Sequence, residues 1–177
     1  MTRISPYIIF IGILLAATAS WHFFHGLKNN SQQNVFAQGF LKGVAIPAHN
    51  YLQADIAIND YRLEADIAGT SAQQQTGLAI KSVLKENQGM LFPFANEGVQ
   101  AFWMKDMKFP IDILWIDKNN TIVYVQPNLP PCVNGQTCPI YQPSVKVIYV
   151  LEVVAGFAQK HHVIAGQTHV DMQLVTT

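Results

Sequence analysis

Six side chains in the sequence have the types and positions that binding or catalysis would require. Trp103 and Lys105 lie in the run AFWMK, where an extended chain places both on one face and Phe102 and Met104 on the other. An aromatic ring beside a flexible cation suits a sugar, a peptide or a cell-wall fragment, because stacking supplies contact area and charge fixes orientation. The other four candidate residues are carboxylic acids and a phenol: Asp66, Asp112, Tyr149 and Glu152.

Asp112 belongs to the run IDILWID, where alternation places it on the same face as Leu114 and Ile116. A carboxylate on a largely apolar face needs a partner, and Lys105 on the preceding strand is the natural candidate. Such a pair could help to form a binding surface, or it could be a structural ion pair that locks a hairpin. Buried ion pairs are weak evidence for either role, so both interpretations stay open.

The carboxylates also allow a hydrolase hypothesis, in which Asp112 acts with Glu152 or Asp66 on a glycan. That chemistry needs two carboxylates about 5–10 Å apart in one cleft, and spacing along the chain does not establish such a distance. In its strand Asp66 alternates with apolar residues, as do Arg62 and Glu64, which is typical of a solvated sheet face. No serine-hydrolase, zinc-protease, P-loop or dinucleotide motif occurs, so no catalytic residue is assigned.

The two cysteines, Cys132 and Cys138, lie in the proline-rich segment 127–143. They do not provide the four ligands of a zinc site, and their spacing is not the C-x-x-C of redox enzymes. A disulfide fits better, and closing so short a loop would stabilise the domain by roughly 2–3 kcal/mol. His161 and His162 are adjacent and favour a helix end over a metal site. No cofactor and no metal is therefore expected.

Residues 7–24 contain no Lys, Arg, Asp or Glu, and as a helix they would span about 27 Å. One interpretation is a signal peptide cleaved after an Ala-Thr-Ala site; the other is an uncleaved membrane anchor that ends in aromatic residues. Both predict export to the periplasm or the cell exterior, with attachment to the inner membrane if the helix is kept. The predicted organisation is a signal or anchor helix at 1–25, a linker and irregular lead-in at 26–52, and one globular domain at 53–177.

The numbers of acidic and basic side chains limit the classes of partner that the chain is expected to bind. The chain has 11 basic and 11 acidic side chains, and only 12% of its residues are charged. A nucleic-acid binder needs a basic face to neutralise phosphates, so nucleic acid is not an expected partner. The expected partners are the membrane, through an uncleaved N-terminal helix, and an envelope protein or a glycan.

The local patterns predict a mainly β (α+β) domain. Hairpins are expected around Asn59-Asp60 and over residues 111–126, and a central strand over residues 145–154 that carries the unexpected charge of Glu152. Thr70 or Ser71 should cap a short helix that points Leu78 and Ile80 inward, and a second helix is expected over 156–162. Because so many strands must cover their edges, we expect a compact, barrel-like, curled antiparallel or mixed sheet with two short helices.

From about residue 64 to residue 170, the chain resembles the bacterial and archaeal family called domain of unknown function 192. The matching pieces agree in order and spacing: TGL at 76–78, GMLFPF at 89–94, AFWMK at 101–105, FPID at 109–112, ILWID at 113–117, PC at 131–132, YVLEVVAGF at 149–157 and IAGQ at 164–167. The chain differs from the family pattern at 79–81, at 106–107 and at Gln167. The resemblance implies a compact β-rich, barrel-like domain, often behind an export signal, and brings no established activity.

Three hypotheses on function follow. The favoured one is a non-catalytic binding or accessory module at the cell envelope. In it Trp103, Lys105, Asp112 and Glu152 lie at one edge of the barrel, and Tyr149 and the proline–cysteine loop form a wall. The second is the carboxylate hydrolase, acting on a glycan or cell-wall substrate. The third is a purely structural domain or one that docks to a membrane partner.

Overall fold

The computed structural model describes residues 51–132 and 137–175. The predicted N-terminal hydrophobic helix and nearly all of the predicted lead-in fall outside these residues. Within the described ranges, no helix has the length and apolar character needed to cross a membrane.

The described residues form nine β-strands, two short α-helices and one 3-10 helix. The strands are β1 (Leu52–Ile58), β2 (Tyr61–Ile67), β3 (Gln88–Gly98), β4 (Phe102–Trp103), β5 (Ile111–Ile116), β6 (Ile122–Leu129), β7 (Ile140–Tyr141), β8 (Val147–Val154) and β9 (Val170–Leu174). The helices are α1 (Ser71–Thr76), the 3-10 helix (Gly77–Ile80) and α2 (Phe157–Lys160). The prediction of a mainly β domain with two short helices is confirmed.

Seven strands form one mixed sheet in the order β6-β5-β8-β3-β2-β1-β9, and β4 pairs with β7 in a separate two-stranded sheet. Both predicted hairpins are present: Ile58 faces Tyr61 across a two-residue turn, and β5 pairs with β6. The strand β8 is central, between β3 and β5, as predicted. Among the described strands, β2 and β3 are the one parallel pair, and α1 and the 3-10 helix lie in the connection between them.

The sheet is not closed into a barrel, which corrects the expected barrel-like architecture. Its edge strands β6 and β9 meet at one end only, where Thr121 and His169 form a single bridge. There the Ile122 N–H donates to the Thr168 carbonyl at 2.9 Å, and the Val170 N–H donates to the Asn120 carbonyl at 2.8 Å. Beyond this point β9 pairs with β1, while β6 pairs with β5. The sheet therefore curls without completing the ladder between its edges.

The two faces of the sheet carry separate apolar layers. The row Ile67–Leu91–Leu151–Leu114 lies on one face, and Phe157 of α2 packs on this face by its edge-on contact with Tyr61. The row Asp66–Met90–Glu152–Ile113 lies on the opposite face, where Leu78 joins the core formed by Met90, Phe92, Met104, Trp115 and Val150. We call these the α2 face and the α1 face. Because β5 is covered on both, all six of its residues are buried.

Candidate functional site

A groove of about 790 Å³ opens on the α1 face. One wall is α1 with the start of the 3-10 helix, and the other is the segment 100–107. The floor and walls include four aromatic rings and one buried carboxyl group: Phe92, Phe94, Phe102, Trp103 and Glu152. The volume falls in the range of small-molecule sites, about 300–1,000 Å³, and aromatic linings with a few polar groups are typical of such sites.

The α1 wall is fixed by its first turn. Thr70 is the N-cap, as predicted: its Oγ1 accepts from the Gln73 N–H at 3.2 Å, and the Gln73 side chain accepts from the Thr70 N–H at 3.1 Å. Gln74 then donates from Nε2 to the Pro93 carbonyl at 3.0 Å, which ties the helix to β3. Leu78 is buried as predicted, but Ile80 is 45% exposed, because the chain tightens into a 3-10 helix that turns this side chain outward.

The opposite wall is tied to the sheet and to the cysteine loop. The buried Trp115 donates from Nε1 to the Gln100 carbonyl at 2.8 Å, and Phe102 meets Phe92 edge-on with ring centroids 5.0 Å apart. Cys132 donates its N–H to the Met104 carbonyl at 2.9 Å and forms a disulfide with Cys138. The predicted strand at 101–105 is thus only two residues long, and side-chain and loop contacts hold the rest of the segment.

Trp103 and Lys105 lie together at the rim of the groove. Trp103 is 54% exposed, and the Lys105 Nζ lies 5.5 Å from the centroid of its ring. The two side chains are neighbours, as expected from their shared face in an extended chain. At this distance a cation interacts with the ring by about 0.5–1 kcal/mol when exposed, so the contact orients both side chains but leaves them free to engage a ligand.

Glu152 lies in the floor of the groove, on β8 between Met90 and Ile113 of the neighbouring strands. Its side chain is buried, with 4% of the residue exposed, and its Oε2 has no hydrogen-bond partner. Burial raises the pKa of Glu152 to about 8, because the charged form has lost its contact with water. At neutral pH the group therefore holds a proton and can either donate a hydrogen bond or give up that proton to pair with a cation.

Asp112 has no contact with Lys105, so the predicted ion pair is wrong. Its Oδ1 accepts from the N–H groups of Asn128 and Gly156 at 2.8 and 3.0 Å, and its Oδ2 accepts from the Ala158 N–H at 2.8 Å. The reason is the two-residue period: Ile113 pairs with Glu152, so Asp112 points to the α2 face and away from the groove. The carboxylate caps the start of α2 from the neighbouring strand and is a structural group.

The same geometry bears on the hydrolase hypothesis, which pairs Asp112 with Glu152 or Asp66. Asp66, Met90 and Glu152 form one cross-strand row on the α1 face, whereas Asp112 points to the α2 face. The carboxylate pair that this chemistry needs is therefore not assembled in one cleft by Asp112.

Tyr149 and Asp66 do not line the groove. Tyr149 pairs with Pro93 and Ile116, which places it on the α2 face, and burial raises the pKa of its hydroxyl. It does not form the expected wall beside Trp103. Asp66 is on the α1 face but is paired with the Lys81 Nζ at 2.7 Å. Of the six candidate residues, the groove brings together Trp103, Lys105 and Glu152.

The groove is also lined by residues that were not predicted as site residues: Phe92, Phe94, Phe102, Gln74, Gln100 and Asp106. Met90, Phe92 and Phe94 alternate along GMLFPF, so their common face could have been predicted from the two-residue period. Their cover by α1 could not, because it depends on contacts between distant parts of the chain. In the described ranges, no group of three or more His, Cys, Asp and Glu side chains is placed to hold a metal ion.

Comparisons with known proteins agree with this fold. Two solved structures resemble the chain. One is a candidate transcription regulator from Sinorhizobium meliloti 1021, with 25% identity and a TM-score of 0.64, covering 70% of this chain and 95% of that one. The other is a protein of unknown function from Novosphingobium aromaticivorans DSM 12444, with 20% identity and a TM-score of 0.60, covering 76% of this chain and 96% of that one.

No curated protein matches the chain. Residues 54–170 match the model of the DUF192 family, whose description is "Uncharacterized ACR". The match covers most of the described domain and includes the strands and walls of the groove. The chain therefore belongs to the domain of unknown function 192 family.

Proposed function

We propose that the domain is a non-catalytic binding module whose ligand occupies the groove between α1 and the segment 100–107. The observation that carries the proposal is Glu152, a buried carboxyl group in the groove floor whose Oε2 has no hydrogen-bond partner. A buried polar group without a partner costs about 1–3 kcal/mol, so proteins rarely keep one that has no use. A ligand that reaches the floor would supply the missing partner.

The rim favours ligands with both a flat or apolar part and a polar part. Trp103 offers an exposed ring on which a sugar or a peptide side chain can stack, and Lys105 lies beside that ring. Gln74 and Gln100 add amide groups to the walls. Aromatic contact area with a few polar groups is typical of sites that recognise a ligand.

We also propose that the module works outside the cytoplasm, in the cell envelope. The apolar run at 7–24 supports an export signal or a membrane anchor. The disulfide between Cys132 and Cys138 supports an oxidising compartment, where such bonds persist. An anchored module would meet glycans, peptides or other envelope proteins close to the membrane. The equal numbers of acidic and basic side chains give no support to binding of nucleic acid.

The test is a ligand panel of cell-wall glycans, muropeptides and short peptides, monitored by NMR of the full-length chain. Ligands should shift the amide signals of α1 and residues 100–107. Trp103→Ala should weaken binding by up to about tenfold, since an aromatic contact contributes about 0.5–1.5 kcal/mol beyond the area that it buries. Lys105→Ala should weaken binding of ligands with an acidic or hydroxyl group.

Lys108→Ala is the matched control, because Lys108 is exposed nearby and does not line the groove. It should bind like the parent chain. If Trp103→Ala and Lys105→Ala fold normally and bind every ligand as the parent does, the groove is not the binding site. A panel in which no compound shifts the groove signals would favour a docking or structural domain.

A further inference from the structure

The surroundings of Glu152 indicate what kind of ligand the groove accepts. In the cross-strand row its neighbours are Met90 and Ile113, which offer neither a donor nor a charge. In the part of the chain that the structure describes, no ion pair involves Glu152. A carboxyl group in such surroundings stays protonated at neutral pH unless a positive charge comes close to it.

Among the described residues, the lysines nearest to the groove do not pair with Glu152. Lys81 is paired with Asp66 at 2.7 Å, beyond Met90 on the α1 face. Lys105 lies over the Trp103 ring at the rim. The remaining charged group on the groove wall is Asp106, which is exposed, and α1 with the 3-10 helix contributes only uncharged residues. Within the described ranges no cation pairs with Glu152, so a ligand could supply the positive charge.

The rings around Glu152 point to the same class of ligand. Phe92, Phe94 and Phe102 line the groove with Trp103, and Phe92 and Phe102 meet edge-on. The faces of aromatic rings attract ammonium and guanidinium groups, and the attraction strengthens where water is excluded. A carboxyl group that shares a groove with aromatic rings is therefore suited to an organic cation rather than to a hydrated metal ion, for which further oxygen ligands would be needed.

We infer that the groove binds a small organic cation, an ammonium or guanidinium compound, whose charge pairs with the Glu152 carboxylate while the aromatic rings pack around it. The inference rests on the binding function proposed above and adds the chemical class of the ligand. On binding, the Glu152 carboxyl group loses its proton to the solvent, and the carboxylate that forms accepts hydrogen bonds from the cation. No covalent bond is made or broken other than this O–H bond.

Binding should consequently depend on pH. Only the ionised fraction of Glu152 is ready to pair with the cation, so the apparent affinity should rise by about tenfold per pH unit up to about pH 8 and then level off. Each ligand bound at about pH 6.5 should release about one proton. The charges at Lys105, Asp106 and the Asp66–Lys81 pair belong to the same surface. They shift the pH at which the affinity levels off, but they do not produce the tenfold change in affinity per pH unit.

The experiment uses two pairs of probes that match in shape and differ in charge: benzylammonium against benzyl alcohol, and phenylguanidinium against phenylurea. Each is titrated into the full-length chain between about pH 6 and 8.5, a range that brackets the change in ionised fraction. NMR locates the binding site, and calorimetry in buffers of different ionisation enthalpy counts the protons released. The cations should shift groove signals and bind about tenfold more tightly than the neutral probes at the upper pH.

Glu152→Gln is the decisive variant, with Glu64→Gln as its control because Glu64 is an exposed carboxylate on β2 outside the groove. Glu152→Gln should weaken binding of the cations by about tenfold or more and remove both the pH slope and the proton release. The Glu64→Gln variant should bind like the parent. The proton count on the parent chain tests the inference even if Glu152→Gln does not fold.

Two outcomes would overturn the inference. If the neutral probes bind in the groove as tightly as the cations, the groove is a binding site for another class of ligand. If cations bind without proton release, Glu152 is not their partner. In either case the inference is wrong and the proposed function stands. If neither member of either pair shifts groove signals, the inference on cations is wrong, and the proposed function is then judged by its own panel of glycans and peptides.

Discussion

Asp112 and Glu152 are two buried carboxyl groups on paired central strands, and their hydrogen bonds distinguish their roles. Asp112 is fully buried and accepts from three backbone N–H groups, those of Asn128, Gly156 and Ala158. Glu152 is nearly as buried, but its Oε2 has no partner. The first carboxylate joins β5 to β6 and α2, whereas the second faces a groove that a ligand can enter.

The structural role of Asp112 leads to a prediction at the scale of one residue. Asp112→Asn keeps the volume of the side chain but leaves one acceptor oxygen where three N–H groups converge, and its NH₂ group faces donors. Loss of hydrogen bonds to a charged acceptor, with buried donors left unpaired, should cost about 2–4 kcal/mol. Equilibrium unfolding in urea measures this as a lower midpoint with an unchanged slope.

Asp171→Asn provides the comparison, because Asp171 is exposed on β9. An exposed substitution of this kind should change the free energy of unfolding by no more than about 0.5 kcal/mol. Equal, small effects of the two substitutions would show that the three N–H groups do not depend on the Asp112 carboxylate.

At the scale of elements, the backbone pairing of the groove wall at 102–105 comes from outside the main sheet. β4 pairs only with β7, through Phe102 with Tyr141 and Trp103 with Ile140. Lys105 forms a bridge with Cys132, and Cys132 is joined by the disulfide to Cys138, which precedes β7. The disulfide therefore links the two segments that contact this wall.

Replacing both cysteines by serine should loosen the wall while leaving the main sheet intact. The chain-entropy model gives so short a loop about 2 kcal/mol of stabilisation, so the free energy of unfolding should fall by about this amount. Hydrogen exchange of the amides at 102–104 should become faster. The amides of β8, between β3 and β5, serve as the internal control and should change only with global stability. Unchanged exchange at 102–104 would mean that β4–β7 pairing does not need the disulfide.

Elements built from neighbouring residues could be predicted from the sequence. The hairpin at Asn59-Asp60 follows from a turn dipeptide between alternating strands, and Asn59 indeed has a positive φ of 54°. The Thr70 cap follows from a local side-chain hydrogen bond. Alternation also predicted correctly that the side chains of Asp112 and Trp115 lie on opposite faces of β5. The proposed partner Lys105 was wrong because alternation says which face a side chain occupies, but not what covers that face.

At the scale of the whole molecule, the two features that sequence patterns could not give are closure of the sheet and the groove. Closure depends on whether β6 and β9 meet, and they lie at opposite ends of the strand order. The groove requires α1 and the segment 100–107 to cover the same face of β3 and β8. Glu152 could be recognised as an odd charge in an apolar strand, and only the fold places it in a groove floor.

Two glutamates should give the stability of the whole domain opposite dependences on pH. Hydrogen bonds from Lys160 and His161 lower the pKa of Glu86 in the folded chain. The stability that Glu86 contributes is therefore present above its pKa in the unfolded chain, and it is lost as the pH falls through its pKa in the folded chain. Burial raises the pKa of Glu152 to about 8, above its ordinary value of 4.5. The folded chain then binds more protons than the unfolded chain between these two values, so stability falls as the pH rises from 4.5 to about 8.

Glu152→Gln removes the second effect and should stabilise the domain in alkaline solution. Near the acid end of this range the variant and the parent should be about equally stable, since both present a neutral side chain. Above about pH 8 the variant should be more stable by about 5 kcal/mol, the free-energy equivalent of the raised pKa. Urea unfolding at a series of pH values measures the difference, and Glu64→Gln should follow the parent throughout. Parallel curves for the parent and Glu152→Gln would mean that Glu152 does not lie in a dry groove floor.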